Sequence, residues 1–120
     1  MTEHVQAGGN YGSFDFKYRS DSRIDPVFHS HMEYEIYYFH GGRCTYLIGD
    51  RIYSLEPGDL ILMNGMTLHC PKIDDSVPYI RSIIHFEPGS IRPYIELPGA
   101  ADILKPFREL NNYRLCLRGA

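Results

Sequence analysis

Short aromatic and β-branched runs, each closed by glycine or proline, recur along this chain. Runs of this kind at roughly eight- to twelve-residue spacing pack as an all-β sandwich or small barrel. "FDFKYR" at 14–19 alternates with period two, as a half-buried strand does. "EYEIYYFH" at 33–40 is strand-like in composition and ends at Gly41-Gly42. "CTYLIGDRIYSL" at 44–55 predicts a hairpin, with Gly49-Asp50 as its two-residue loop. "EPGD" at 56–59 predicts a turn, and "LILM" at 60–63 and "YIRSIIHF" at 79–86 predict further strands. Pro71 is expected to block a strand just past His69. "SIRPYIEL" at 90–97 fits a strand or a short helix. "ADILKPFREL" at 101–110 is helical in composition, with Pro106 keeping any helix short or broken, and "YRLCLR" closes the series as a strand.

With 120 residues the chain fits one domain. Residues 1–13 are polar and glycine-bearing and predict a flexible arm, with the domain proper at 14–120. The net charge of -3 and twelve scattered Lys and Arg lack the basic face of a nucleic-acid binder. Three cysteines without a C-x-x-C spacing argue against a disulfide scaffold or zinc ribbon and fit reduced thiols in the cytoplasm. The N-terminus lacks signal-peptide order, and the most apolar run is too short to span a bilayer, so no membrane role is expected.

The chemistry-bearing residues cluster in "HSHMEYE". His29, His31 and Glu35 share parity, so an unbroken strand would turn all three to one face. His69 would arrive from another strand end. Three imidazoles and a carboxylate suit Zn, Fe, Mn, Ni or Cu, and spacing alone does not choose among these metals. The pattern His29-x-His31-x3-Glu35-x6-Gly42, followed by Pro57-Gly58 and then His69, resembles the two motifs of the cupin superfamily. That resemblance implies a small β-barrel or jelly roll, and makes His29, His31, Glu35 and His69 its metal ligands. The frame departs from the pattern: Arg23 stands where a glycine would, Asn64 and Met66 replace a proline and a glycine, and Ile73 replaces the asparagine that often follows.

A narrower resemblance lies in "YEIYYF", "YLIGDRIYSLEPGDLILM" and "IIHFEP". These phrases are similar to the N-terminal, arabinose-binding-like effector domain of AraC-type transcription regulators. The resemblance implies a small-molecule effector, a sugar or similar polar metabolite, inside the barrel. It also implies homodimerisation, and DNA contact through a separate C-terminal helix-turn-helix domain absent from this chain. The expectation is thus a sensing domain cut from a longer regulator, not an enzyme, with no required cofactor. The alternative is a metal-dependent cupin enzyme, a dioxygenase, isomerase or lyase using the three-histidine, one-glutamate set. A third is a ligand-free barrel used only to dimerise.

The expected effector contacts are His29, His31, Glu35, Tyr37, His69, Arg81 and His85. Arg81 and His85 share one face of their strand. Facing inward they could anchor a carboxylate or sugar hydroxyls; facing outward they are merely solvated. Tyr34, Tyr37, Tyr38, Tyr46 and Tyr53 read as pocket lining or as ordinary half-buried strand residues. Cys70 reads as a small buried side chain, and His4 and His40 as surface residues. Phosphate-loop, Rossmann and Ser-His-Asp patterns do not occur.

Overall fold

A computed structural model of the chain describes residues 5–11, 14–21 and 32–118. The elements are β1 (Val5–Tyr11), β2 (Phe14–Asp21), β3 (Tyr34–Gly41), β4 (Cys44–Ile48), β5 (Arg51–Ser54), β6 (Asp59–Met63), β7 (His69–Ile73), β8 (Tyr79–Phe86), α1 (Pro88–Ile95), α2 (Lys105–Glu109) and β9 (Arg114–Cys116). They form a six-stranded sheet, β1-β2-β8-β3-β6-β9, and a three-stranded sheet, β5-β4-β7. Their strand pairs are antiparallel. This is the expected all-β jelly roll, with two facing sheets rather than a closed barrel. No helix among the described residues is long and apolar enough to cross a membrane.

Period-two patterning builds two cores. Odd-numbered residues of β3, β6 and β8 (Tyr37, Phe39, Ile61, Met63, Tyr79) meet Cys44, Tyr46 and Ile48 from the smaller sheet and Leu55 just past β5. Even-numbered residues of the same strands (Leu62, Phe86, with Tyr34, Ile36, Ile84) point the other way, onto Ile91 of α1 and Leu104 and Phe107 at α2. The larger sheet is therefore apolar on both faces, which is why β6 and β8 read as near-continuous hydrophobic runs. Fully burying one such side chain contributes about 1.5–3 kcal/mol.

The β4–β5 hairpin turns at Gly49, whose φ of 56° lies in the left-handed region that a two-residue loop needs. β8 coincides with "YIRSIIHF". The segment that fitted either strand or helix is α1, entered by Pro88 within its first turn, where the missing N–H costs nothing. α2 is a five-residue helix with Pro106 likewise in its first turn.

One expectation is corrected. Pro71 does not block a strand; it lies within β7, opposite Tyr46. β7 is an edge strand of its sheet, so the missing N–H need not be on the paired side. Within the expected arm, residues 5–11 form β1, paired with β2 from Val5↔Ser20 to Tyr11↔Phe14.

Candidate functional site

The interior between the sheets carries two buried polar groupings, one at each end of β8. The pairing runs from Tyr34↔Phe86 to Gly41↔Ile80, so Glu35 and His85 mark one end. Arg81 and Tyr79 lie toward the other.

At the first end, Glu35 is the first inward residue of β3 and is 3% exposed. His85 stands directly opposite on β8, and its Nε2 donates to Glu35 Oε1 at 2.6 Å. Asp15 of β2 flanks His85 on its other side. Tyr46, on the facing sheet, is buried within electrostatic reach of Glu35. Burial, and next the nearby Glu35 carboxylate, push its hydroxyl pKa well above the ordinary tyrosine range.

Two further side chains converge on the Tyr46 ring. The Tyr37 ring meets it edge-on at 4.9 Å. The His69 ring stacks on it at 6.4 Å with an interplanar angle of 17°. His69 is fully buried, and its Nδ1 donates to the Thr67 carbonyl at 2.8 Å. A carbonyl only accepts, so Nδ1 carries the proton, and in the neutral ring Nε2 carries the lone pair.

At the second end, Arg81 is buried and inward-facing, which decides between the two orientations its strand allowed. It is not an open anchor, however. Its Nη1 lies 3.1 Å from both Asp21 Oδ1 and the Asp21 carbonyl and 2.9 Å from the Tyr79 carbonyl, and its guanidinium lies over the Tyr79 ring. The Tyr37 and Tyr79 hydroxyls share a hydrogen bond. Burial pushes the neighbouring Cys44 thiol up to about 11.

Of the expected site residues, Tyr37 and His69 meet at the Tyr46 ring, Glu35 lies near it, and His85 is joined to Glu35. Arg81 belongs to a separate ion pair. His29 and His31 lie outside the described residues, as does His4. Cys70 is fully buried, and His40 is a surface residue that shares a hydrogen bond with Ser82. Two buried aspartates, Asp21 and Asp59, are not among the expected site residues. For Asp21 the signal was there: extending the alternation of "FDFKYR" by two residues puts it on the face of Asp15, Lys17 and Arg19. Asp59 is fully buried, bonded to the Glu56 N–H and to Arg118 at 2.7 Å, and ties the end of β9 to the turn before β6.

Among the described residues, no group of three or more His, Cys, Asp or Glu side chains is placed to hold a metal ion. Of the four candidate ligands, the described residues supply Glu35 and His69. The Glu35 carboxylate is already engaged by His85.

Comparison with known proteins agrees with this architecture. Similar solved structures include SPY1581, a conserved protein of unknown function from Streptococcus pyogenes. It is 13% identical, with 72% of this chain and 76% of that one covered and a TM-score of 0.58. The DMSP lyase DddQ from Ruegeria pomeroyi DSS-3 is 19% identical, with 71% and 47% covered and a TM-score of 0.57. An oxalate decarboxylase from Bacillus subtilis is 17% identical, with 62% and 21% covered and a TM-score of 0.51. At these identities the likeness is one of fold, the cupin fold. Among curated proteins, none matches. The family model of the AraC-like ligand binding domain matches residues 14–116, nearly the whole two-sheet body. The chain belongs to the AraC-like ligand-binding domain family.

Proposed function

We propose that this domain is the small-molecule-sensing part of an AraC-type transcription regulator, and that its effector is read at the Glu35–His85 end of the interior. The observation that carries the reading is the Glu35–His85 pair, its carboxylate buried near Tyr46, on whose ring His69 stacks, within a fold whose family binds ligands. A carboxylate accepts hydrogen bonds, and the two imidazoles and the tyrosine can each donate or accept. Such a set suits hydroxyl-rich neutral molecules, a sugar or similar polar metabolite, better than an anion. Arg81, the cation that could have drawn an anion inside, is neutralised by Asp21. His29 and His31, close in sequence to Glu35, join the proposed contacts.

The mechanism is a population shift. The effector favours one of two arrangements of the domain, of its dimer or of the N-terminal segment, and so changes how a DNA-binding domain elsewhere in the regulator meets its operator. It can move that equilibrium only by its differential affinity for the two states.

One observation supports a second reading, a metal-dependent cupin enzyme. With Nδ1 donating to Thr67, His69 has the tautomer of a metal-ligating histidine. Under that reading His29, His31, Glu35 and His69 would hold a divalent transition metal (Zn, Fe, Mn or Ni), which would supply Lewis-acid chemistry. Two fold neighbours carry enzyme names, a DMSP lyase and an oxalate decarboxylase. Metal analysis of tag-free protein purified without chelator separates the readings. Sensing predicts little metal in the parent and in His69→Ala alike. Near-stoichiometric metal that disappears in His69→Ala would put the enzyme reading first.

A further inference from the structure

The rim of the three-stranded sheet holds a second polar feature, at the end of the sandwich away from Glu35 and His85. An open cleft of about 450 Å³ lies between the start of β4 and the ends of β5 and β7. Small-molecule sites generally span about 300–1,000 Å³, so the space suits a metabolite as well as a simple ion. In the strand register Thr45 stands opposite Ser54 on one side and Lys72 on the other. Directly opposed residues share a face, so two hydroxyls and an ammonium form one line across the sheet.

Arg43 stands at the lip, 74% exposed, with its Nη1 3.4 Å from Asp74 Oδ2. Asp74 is also occupied by its own turn: Oδ1 accepts from the Ser76 N–H at 2.9 Å and the Ser76 hydroxyl at 2.6 Å. Arg43 and Lys72 against Asp74 leave the cleft with net positive charge, on a chain whose overall charge is -3. Among the described residues, the side chains of Thr45, Ser54 and Lys72 form no hydrogen bond or ion pair within the fold. Behind them Cys44 sits as a neutral thiol, which does not repel an anion.

We infer that this cleft binds a phosphate-class oxyanion. Lys72 supplies the charge, the Thr45 and Ser54 hydroxyls donate to its oxygens, and Arg43 exchanges its exposed contact with Asp74 for one with the ligand. A tetrahedral oxyanion is favoured over a carboxylate because the donors come from three strands and the lip, not from one planar fork. The inference is independent of the effector reading, since it uses none of the residues around Tyr46. The anion would come either from free phosphate or from the phosphate group of a small metabolite.

The test is an amide NMR titration of the ¹⁵N-labelled chain with inorganic phosphate, glycerol 3-phosphate and glycerol, at ionic strength matched with chloride. The expected result is saturable shifts at Gly42–Thr45, Ser54–Leu55 and Lys72–Asp74 with both phosphates and none with glycerol. Lys72→Ala should weaken binding roughly three- to tenfold, as loss of one exposed charge-assisted bond does, while Lys72→Arg keeps it. Tighter binding of the ester assigns the site to a metabolite, and tighter binding of inorganic phosphate assigns it to the free ion. Shifts that chloride reproduces, saturable shifts confined to other residues, or a Lys72→Ala chain that binds as before would overturn the inference.

Discussion

Glu35 and His85 are 50 residues apart in sequence and directly opposite in the β3–β8 register, joined by a 2.6 Å hydrogen bond. The carboxylate is nearly inaccessible, while the imidazole is 19% exposed. The pair therefore has one side fixed in the core and one side within reach of solvent, the geometry of a buried acceptor presented through a histidine.

Removing the histidine should hurt more than neutralising the acid. His85→Ala removes a close donor from a buried carboxylate and should destabilise the fold by about 3 kcal/mol. Glu35→Gln keeps an acceptor in place and should cost about 1 kcal/mol. Urea denaturation of both variants and the double variant measures this, and a coupling energy near zero would contradict the pairing.

The Arg81–Asp21 pair predicts a similar asymmetry. Asp21→Ala strands a buried guanidinium and should cost about 3–5 kcal/mol. Replacing both residues together, Asp21→Leu with Arg81→Met, should recover most of that loss. Denaturant midpoints of the three chains check the order.

The strand framework was legible in the sequence because side-chain alternation and turn residues are local signals. Gly49-Asp50 and "YIRSIIHF" needed no knowledge of the remaining chain. β1 was not legible: "VQAGGNY" has an Ala-Gly-Gly centre with no side-chain pattern, and its pairing with β2 supplies the order. Pro71 departs from expectation because whether a proline is tolerated depends on edge position, which is a property of the assembled sheet. The site was half legible. Parity aimed Glu35 inward, but only the pairing of β3 with β8, far away in sequence, chose His85 as its partner and left Arg81 to Asp21.

Stability should fall on the alkaline side. Burial raises the Tyr37, Tyr46 and Tyr79 hydroxyls above their usual 10.0 and Cys44 from 9.0 to about 11. The unfolded chain loses these protons first, so their contribution is complete below about pH 8.5 and declines as pH rises. Cys44 sets the onset, between 9 and 11, and the tyrosines add to it above 10. Denaturation curves from pH 7 to 11 should be flat to about 8.5 and then drop, with a later onset in Cys44→Ala. A constant stability to pH 11 would contradict the buried neutral cluster.

Gly42 joins the two sheets where the chain leaves β3 for β4. Its φ is 116°, and an added Cβ would lie 2.6 Å from the Pro78 carbonyl oxygen. Gly42→Ala should therefore destabilise by more than about 1 kcal/mol, whereas Gly89→Ala, where a Cβ meets nothing within 4 Å, should be near neutral. Thermal melts of the two variants make the comparison.

The most direct measurement of the central claim follows the histidine and tyrosine ring resonances of the labelled chain during titration with a panel of neutral pentoses, hexoses and polyols. The expected result is that a member of the panel shifts His69, His85 and Tyr46 together and saturably, and that Glu35→Gln abolishes the response. A panel that leaves those three rings unmoved, or moves them equally in Glu35→Gln, would contradict it.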